Sequence, residues 1–322
     1  MDKDQDLTKE GTAGFSHVPV MLHECIEGLA IRPGGVYVDG TAGGGGHSYE
    51  IARRLDTGLL IAIDQDEDAV KAASARLAPL GSRAVVVRNN FCRLDEVCRE
   101  LHIDRIDGIL LDLGVSSYQL DTPERGFSYM ADAPLDMRMD NRQTKSAYDI
   151  VNTYSEAELR RILYAYGEEK FAGRIAGRIV RAREQEPIRT TGQLADLIKE
   201  AIPAAAREGG HHPAKRCFQA IRIEVNRELD VIRPALEAAL ERLNPGGRMA
   251  VITFHSLEDR IVKQTFADMA TGCTCPKSLP VCVCGRKPRV RMTTRKPVTP
   301  TEAELTTNPR SRSAKLRVAE KI

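Results

Sequence analysis

The chain has 322 residues, of which 42% are hydrophobic and 29% are charged, and its formal net charge is +2. This composition supports one large or two modest globular domains, excludes a polycation, and means that any nucleic-acid surface must be local. It contains no apolar stretch of membrane-spanning length and no secretory signal, so we expect a cytoplasmic protein. Residues 1–14 are polar and are predicted to form a disordered tail.

The first strong pattern is VYVDGTAGGGGH at 36–47. A short apolar run ends at Asp39, glycines follow, and a helix can open near Ser48, which predicts a strand, a tight loop and a helix N-terminus. Such a unit binds a nucleotide-like cofactor at the end of a parallel sheet. The dinucleotide fingerprint matches imperfectly, because Ser48 replaces its third glycine. Asp39 with Gly43 and Gly45 fits the S-adenosylmethionine (SAM) loop with a slightly stretched spacing, although a glycine cluster alone could be a plain turn.

The next predicted strands each end in a residue suited to this cofactor. The run at 59–64 ends in Asp64, which can accept hydrogen bonds from a ribose diol, or can simply cap the next helix. A third strand at 84–87 leads to Phe91, a candidate adenine contact. A fourth, at 106–111, is followed by Asp112, which can accept from a target amine or, as we favour, hold the amino group of SAM.

A late segment at 243–254 reads as a Pro-Gly-Gly turn that feeds a strand, which is typical of SAM methyltransferase sheets and not of dehydrogenases. His255 follows that strand and is a candidate catalytic residue. A capped helix beginning at Ser256 would explain the same sequence pattern. The sequence has no Pro-Cys dipeptide, which argues against methylation of pyrimidine carbon 5 through a cysteine. Methylation of an exocyclic amine needs no covalent step.

Strand and helix alternate only to about residue 115. Residues 116–145 are predicted to be irregular and 146–240 almost wholly helical, with Phe171, Ile175 and Ile179 on one apolar face. Arg174 and Arg178 flank that face as a basic stripe, either a solvated surface or a nucleic-acid contact. We predict methyltransferase parts at 15–135 and 225–322 and an inserted helical substrate domain at 136–224. Residues 215–232 are predicted to form one helix.

The C-terminal part carries two further patterns. Cys273, Cys275, Cys282 and Cys284 form a cluster that either holds a structural zinc ion or remains a reduced loop, since its C-x-C spacing is tighter than the usual knuckle. From 286 to 317 the chain has ten basic residues against two glutamates. We predict RNA contacts here, at Arg289, Arg291 and Arg295, against the alternative of a solubilising tail.

Several long motifs resemble the bacterial 16S rRNA cytosine-N4 methyltransferases, the RsmH/MraW family. They include DGTAGGGGHS (39–48), DGILLDLGVSS (107–117), FQAIRIEVNREL (218–229), FHSLEDRIVK (254–263) and NPRSRSAKLRVAE (308–320). The resemblance extends from 17 to 320. It implies an α/β fold, a class I SAM-dependent methyltransferase with a Rossmann-like, mostly parallel sheet and an inserted all-helical domain.

The same resemblance implies an activity. The family methylates N4 of a cytosine in the decoding centre, the P-site region of 16S rRNA, by direct in-line transfer; free RNA and the assembled small subunit both remain candidate substrates, and no obligate protein partner is inferred. The cysteine cluster resembles a variant found in only part of the family. Carried over by motif, the SAM contacts fall on Gly45, Gly46, His47, Asp64, Phe91, Asp112 and Gln119.

Overall fold

A seven-stranded sheet forms the centre of the computed structural model, which describes residues 19–206, 212–276, 281 and 283–322. The predicted tail at 1–14 and Cys282 lie outside this range. The strands are Val36–Asp39 (β1), Leu59–Asp64 (β2), Ala84–Arg88 (β3), Ile106–Asp112 (β4), Leu243–Thr253 (β5), Val290–Met292 (β6) and Lys315–Lys321 (β7).

The strand order is β3-β2-β1-β4-β5-β7-β6. The first five strands are parallel, and β7 runs antiparallel to both β5 and β6. Apolar clusters cover both faces of this sheet, which is why β2 and β4 read as continuous apolar runs and not as alternating ones. The order reverses beside β1, so the carboxyl ends of β1, β2 and β4 meet where open α/β sheets bind their ligands.

Thirteen α-helices accompany the sheet within the described residues. They are Leu22–Leu29 (α1), Gly46–Ala52 (α2), Glu67–Leu77 (α3), Leu94–Glu100 (α4), Ser117–Asp121 (α5), Ala147–Thr153 (α6), Glu156–Ala165 (α7), Ala172–Arg183 (α8), Thr191–Ala201 (α9), Lys215–Asn226 (α10), Ile232–Arg242 (α11), Ser256–Ala270 (α12) and Glu302–Thr307 (α13). None of these helices combines the length and the apolar character needed to cross a membrane.

Helices α6 to α10 lie between β4 and β5 in the chain and share an apolar core of their own. Three of them begin with a capping box, at Ser146, Ser155 and Thr190, in which a hydroxyl and an acid or amide satisfy the free amides of the first turn. This core also includes Phe127 and Leu135, which precede the predicted start of the inserted domain. The exact bounds 136–224 stay a prediction.

The helix predicted over 215–232 was wrong in its length. It ends at Asn226, because Arg227 adopts a left-handed conformation with φ of 53° and turns the chain toward α11. The apolar spacing continues through the break and so conceals it. The side chain of Asn226 bonds the end of the helix to a distant segment: it donates to Met137 O at 2.7 Å and accepts from Met139 N at 2.8 Å.

One further boundary differs from expectation, and one helix cap does. The last parallel strand begins at Leu243, before the Pro-Gly-Gly turn, and its pairing with β4 shifts register opposite Ile106 and Gly108. The helix that follows it does begin at Ser256, but its cap is His255, not the serine. An imidazole nitrogen can accept from the first-turn amides as a hydroxyl does, so the sequence rule for caps did not identify it.

Candidate active site

The loop after β1 depends on glycine geometry. Gly43 and Gly45 have φ of 50° and 75°, a region that side-chain-bearing residues rarely adopt. A Cβ on Gly46 would lie 2.4 Å from Cγ of Pro19. The backbone can therefore turn within a few residues and leave open space above the start of α2, where His47 is the second residue.

Two aspartates hold this loop against the sheet. Asp39 is fully buried and accepts from Ser48 Oγ at 2.6 Å, and burial raises its pKa to about 6. Asp64 Oδ2 accepts from Gly43 N at 2.8 Å and Oδ1 accepts from Asp66 N at 2.9 Å. Burial also raises the pKa of Asp64 to about 6. Each Asp64 oxygen keeps a further lone pair, and the carboxyl lines an open cavity.

Asp64 is not the cap of the helix that follows it. That position belongs to Asp66, whose side chain accepts from Asp68 N at 3.0 Å at the start of α3. Gln119 Nε2 donates to the other oxygen of Asp66 at 2.7 Å, and Gln119 Oε1 accepts from Ser116 N at 3.0 Å. Gln119 thus ties α5 to α3 across the same cavity.

Asp112 ends β4 with a buried carboxyl that has an unused oxygen. Its Oδ1 has no hydrogen-bond partner, while Oδ2 lies 3.9 Å from Nδ1 of His47. Burial, together with the negative charges of Asp39 and Glu258, raises the pKa of Asp112 to about 8. A buried acceptor without a donor is costly, so this carboxyl is suited to a ligand that brings one.

His47 faces Asp112 as a neutral ring. Its Nε2 lies 2.9 Å from the carbonyl of Val20, which assigns the proton to that nitrogen and leaves a lone pair on Nδ1. Burial lowers the pKa of His47 to about 4, although the bond to Val20 acts in the opposite sense. At neutral pH the ring therefore adds an acceptor and no positive charge beside Asp112.

His255 and Glu258 form another part of the cavity wall. His255 Nδ1 accepts weakly from Glu258 N at 3.4 Å, and its Nε2 lies 3.1 Å from Glu258 Oε1 without the alignment of a hydrogen bond. Glu258 Oε2 accepts from Phe254 N at 2.8 Å. Burial would raise the pKa of Glu258, but His255, Phe254 N and Arg222 together lower it. Glu258 is thus an ionised acid, and His255 Nε2 lies beside its carboxylate without an aligned hydrogen bond.

The helical insertion contributes to the same wall through a buried ion pair. Arg222 Nε and Nη2 donate to the two oxygens of Glu228 at 2.9 and 3.0 Å. Residues six positions apart lie on different sides of a continuous helix, so only the break at Arg227 lets this pair form. Sequence reasoning missed both residues, although each lies within the FQAIRIEVNREL motif.

One cavity of about 380 Å³ brings these groups together. The sequence-predicted residues that line it are Gly46, His47, Asp64, Phe91, Asp112, Gln119 and His255. Gly45 lies directly before Gly46 as the N-cap of α2. The insertion adds Lys215, Gln219, Arg222 and Asn226 from α10, which the sequence analysis did not select.

The predicted RNA-contacting arginines lie elsewhere. Arg174 and Arg178 line a separate groove of about 400 Å³ beside α8, where Arg178 pairs with Glu200 at 2.5 Å. Arg289 pairs with Glu241 at 2.5 Å and Arg291 with Glu320 at 2.6 Å. These ion pairs neutralise part of the basic surface that the sequence suggested, and their role in RNA binding stays a prediction.

Arg295, like Arg174, differs from Arg178, Arg289 and Arg291. It is exposed and forms no ion pair among the described residues.

Of the cysteine cluster, the structure brings together the thiols of Cys273, Cys275 and Cys284. None of these three cysteines lines the cavity described above.

Comparison with known proteins matches the whole described fold to one family. A model described as "MraW methylase family" matches residues 14–322. "Ribosomal RNA small subunit methyltransferase H 2" of Agathobacter rectalis is 59% identical over 95% of this chain and 98% of its own. The proteins named "Ribosomal RNA small subunit methyltransferase H" of Brevibacillus brevis and Symbiobacterium thermophilum are 57% and 58% identical over 97% and 96% of this chain, and 99% and 97% of their own. The family resemblance and the predicted class I SAM methyltransferase fold are confirmed, and the chain belongs to the MraW methylase family.

Proposed function

We propose that this protein uses SAM to methylate the exocyclic N4 amine of a cytosine in the decoding centre, the P-site region, of small-subunit ribosomal RNA. The observation that carries the proposal is one cavity lined both by Asp112, whose buried Oδ1 accepts no hydrogen bond, and by His255, whose buried Nε2 makes none. Among the described residues only Thr265 supplies another such atom. One acceptor and one donor without hydrogen bonds indicate two ligands, a cofactor and a base.

The cavity fits SAM by the chemistry of its lining. Bound SAM would supply an electrophilic methyl group. Asp64, at the end of β2, would accept from the ribose hydroxyls, and Phe91 would pack against the adenine. Asp112, beside His47, would hold the amino group of SAM through its unused oxygen. The backbone of Gly45 and Gly46 leaves space for the rest of the SAM molecule. Gln119 holds α5 over the same site.

The part of the wall that carries His255 suits the base. Because His255 Nδ1 accepts from Glu258 N, a ring proton lies on Nε2, which is 3.1 Å from Glu258 Oε1 without an aligned hydrogen bond and could donate to a bound base. Cytosine presents an acceptor at N3, next to the amine, where uracil presents an N–H. As a hydrogen-bond donor, His255 Nε2 can therefore orient cytosine and discriminate against uracil.

Direct transfer agrees with the residues present. The described residues that line the cavity include no cysteine, so none is placed to attack a pyrimidine ring. An exocyclic amine needs only orientation and the exclusion of water, which the insertion can provide by covering the sheet ends with α10.

The cationic side chains of Lys215 and Arg310 line the same cavity and can contact the RNA backbone. A ribosomal substrate would also place the protein in the cytoplasm.

The test uses ribosomal RNA that lacks the modification. Small subunits, and separately their free RNA, are prepared from a strain without the corresponding gene and incubated with the purified chain and labelled SAM. We expect one methyl group at one decoding-centre cytosine, recovered as N4-methylcytidine by nuclease digestion and mass spectrometry. A methyl group on carbon 5, on uridine or on large-subunit RNA would contradict the proposal. His255→Gln should lower kcat/KM for RNA and leave SAM affinity unchanged.

A further inference from the structure

Three cysteine thiols meet in the segment between α12 and β6. The Sγ atoms of Cys273, Cys275 and Cys284 all lie within 4.8 Å of one another, and those of Cys273 and Cys284 are 3.8 Å apart. A disulfide requires about 2.0 Å between its sulfurs. Two thiolates on a tetrahedral zinc ion with Zn–S bonds of about 2.3 Å are separated by about 3.8 Å. The observed spacing rules out a disulfide, and it fits two ligands of one ion as well as it fits a thiol–thiol hydrogen bond.

The described part of the segment that carries these thiols has no apolar interior. Among its described residues, 271–276, 281 and 283–289, none is buried. Val281 and Val283 are 70% and 77% exposed. The base of the segment is closed by the backbone, where Arg289 N donates to Met269 O at 2.8 Å. A loop of this kind, closed at its base and without a core, is usually held by a disulfide or a metal ion.

We propose that Cys273, Cys275 and Cys284 bind one Zn²⁺ ion, which holds the loop between α12 and β6 in a fixed shape. Sulfur ligands select soft ions, and three thiolates within reach of one point occupy three positions of a tetrahedron. The fourth position takes water or another donor. Cys282 lies outside the described residues and is not part of the site as argued.

Binding of the ion changes protonation and not oxidation state. Each thiol that becomes a ligand loses its proton to solvent, so up to three protons are released for each ion bound. Cys273 and Cys284 are exposed and Cys275 is partly exposed, which leaves a path for the ion to enter. The site is distinct from the proposed active site, because none of the three residues lines that cavity.

The test is the metal content of the full chain, purified with a thiol reductant and without chelator. Plasma mass spectrometry should find about one zinc per chain. Cys273→Ser and Cys284→Ser should each lower the content at least tenfold, and Cys92→Ser, outside the cluster, should retain it. Zinc in the wild type no higher than in Cys273→Ser, or a disulfide between any two of the three cysteines under these conditions, would overturn the proposal.

Two further measurements separate this site from the methyltransferase function. Substituting Co²⁺ should produce the near-ultraviolet absorption of cobalt–thiolate bonds in the wild type and not in Cys284→Ser. A chelator should accelerate proteolytic cleavage within 271–289 by at least tenfold, and equal cleavage rates would contradict the structural role. SAM affinity of Cys273→Ser should equal that of the wild type, so loss of zinc and failure of the proposed activity give different results.

Discussion

Asp64 shows how one carboxylate can serve the fold and a ligand together. Both oxygens accept a backbone amide, from Gly43 and from Asp66, and this fixes the glycine loop against β2. The carboxyl also lines the cavity, where its remaining lone pairs face the space that a ribose would occupy. Its position was predictable from an apolar run ending in an acid, but its two backbone bonds were not, since they depend on how the loop folds back.

We expect Asp64→Ala to weaken SAM binding about 10- to 100-fold, because hydrogen bonds to a charged group contribute about 1.5–3 kcal/mol. Isothermal titration calorimetry measures the change directly. The SAM affinity of Asp64→Asn, which keeps one acceptor oxygen, should lie between those of the wild type and Asp64→Ala. Asp56→Ala is the matched control, because Asp56 is an exposed acid in the turn before β2. An unchanged dissociation constant in Asp64→Ala would contradict the ribose assignment.

Asp112 should make stability depend on pH in the protein without ligand. Its pKa is raised from 3.8 to about 8, so between these values the folded state retains a proton that the unfolded chain has lost. Its contribution to stability therefore falls as the pH rises through that window. The side chain of Asp112→Asn does not titrate. As the pH rises from 5 to about 8, we therefore expect the free energy of unfolding of this variant to increase relative to that of the wild type by a few kcal/mol.

Denaturant unfolding of the two proteins at several pH values checks this prediction. Asp39 and Asp64 titrate in the same direction in both proteins, so only the difference between wild type and variant reports on Asp112. A difference that stays constant with pH would show that the carboxyl is ionised at little cost. The same variant should bind SAM more weakly, since the proposed partner of the amino group is lost.

At the scale of elements, the strands were easier to predict than the helix ends. Parallel strands covered on both faces read as short apolar runs, and the predicted runs at 59–64, 84–87 and 106–111 agree with β2, β3 and β4 within a residue. The end of α10 depends on Asn226 bonding to Met137 and Met139, nearly ninety positions away. No local pattern contains that information, and so the Arg222–Glu228 pair was missed with it.

The helical insertion relies on its caps, and one of them gives a local test. In Ser155→Ala, α7 loses the acceptor for Glu158 N and the donor for Glu158 Oε2. We expect a cost of about 1 kcal/mol. Hydrogen exchange of the α7 amides should become about fivefold faster where they open locally. Ser74→Ala, at an exposed position inside α3, is the control and should leave these rates unchanged. Unchanged α7 exchange in Ser155→Ala would show that its cap is dispensable.

At the scale of the whole molecule, charge is local and largely paired. The net charge of +2 leaves little general attraction for RNA. Three of the five arginines that the sequence selected pair with acids, namely Arg178 with Glu200, Arg289 with Glu241 and Arg291 with Glu320. Sequence counts register charge but not its partners, which lie on distant segments. RNA contact is therefore best tested at the unpaired Arg295.

We expect Arg295→Gln to weaken RNA binding at low salt and to lower the slope of log K against log salt by about 1, since one phosphate contact is lost. Arg291→Gln should change the slope less, because Arg291 already pairs with Glu320. Filter binding across a salt series measures both. SAM affinity should be unchanged in each variant. An identical slope for Arg295→Gln and wild type would exclude Arg295 from the RNA surface.

The position of β7 has a consequence for how the molecule is made. This strand lies between β5 and β6, and β6 pairs with no other strand in the part of the chain that the structure describes. Although β6 is synthesised first, it has no template until residues 315–321 have inserted alongside β5. Such distant pairing is slow to form. During translation, therefore, the unpaired edge of β5 should be exposed for a time. A chaperone would bind the growing chain at that edge.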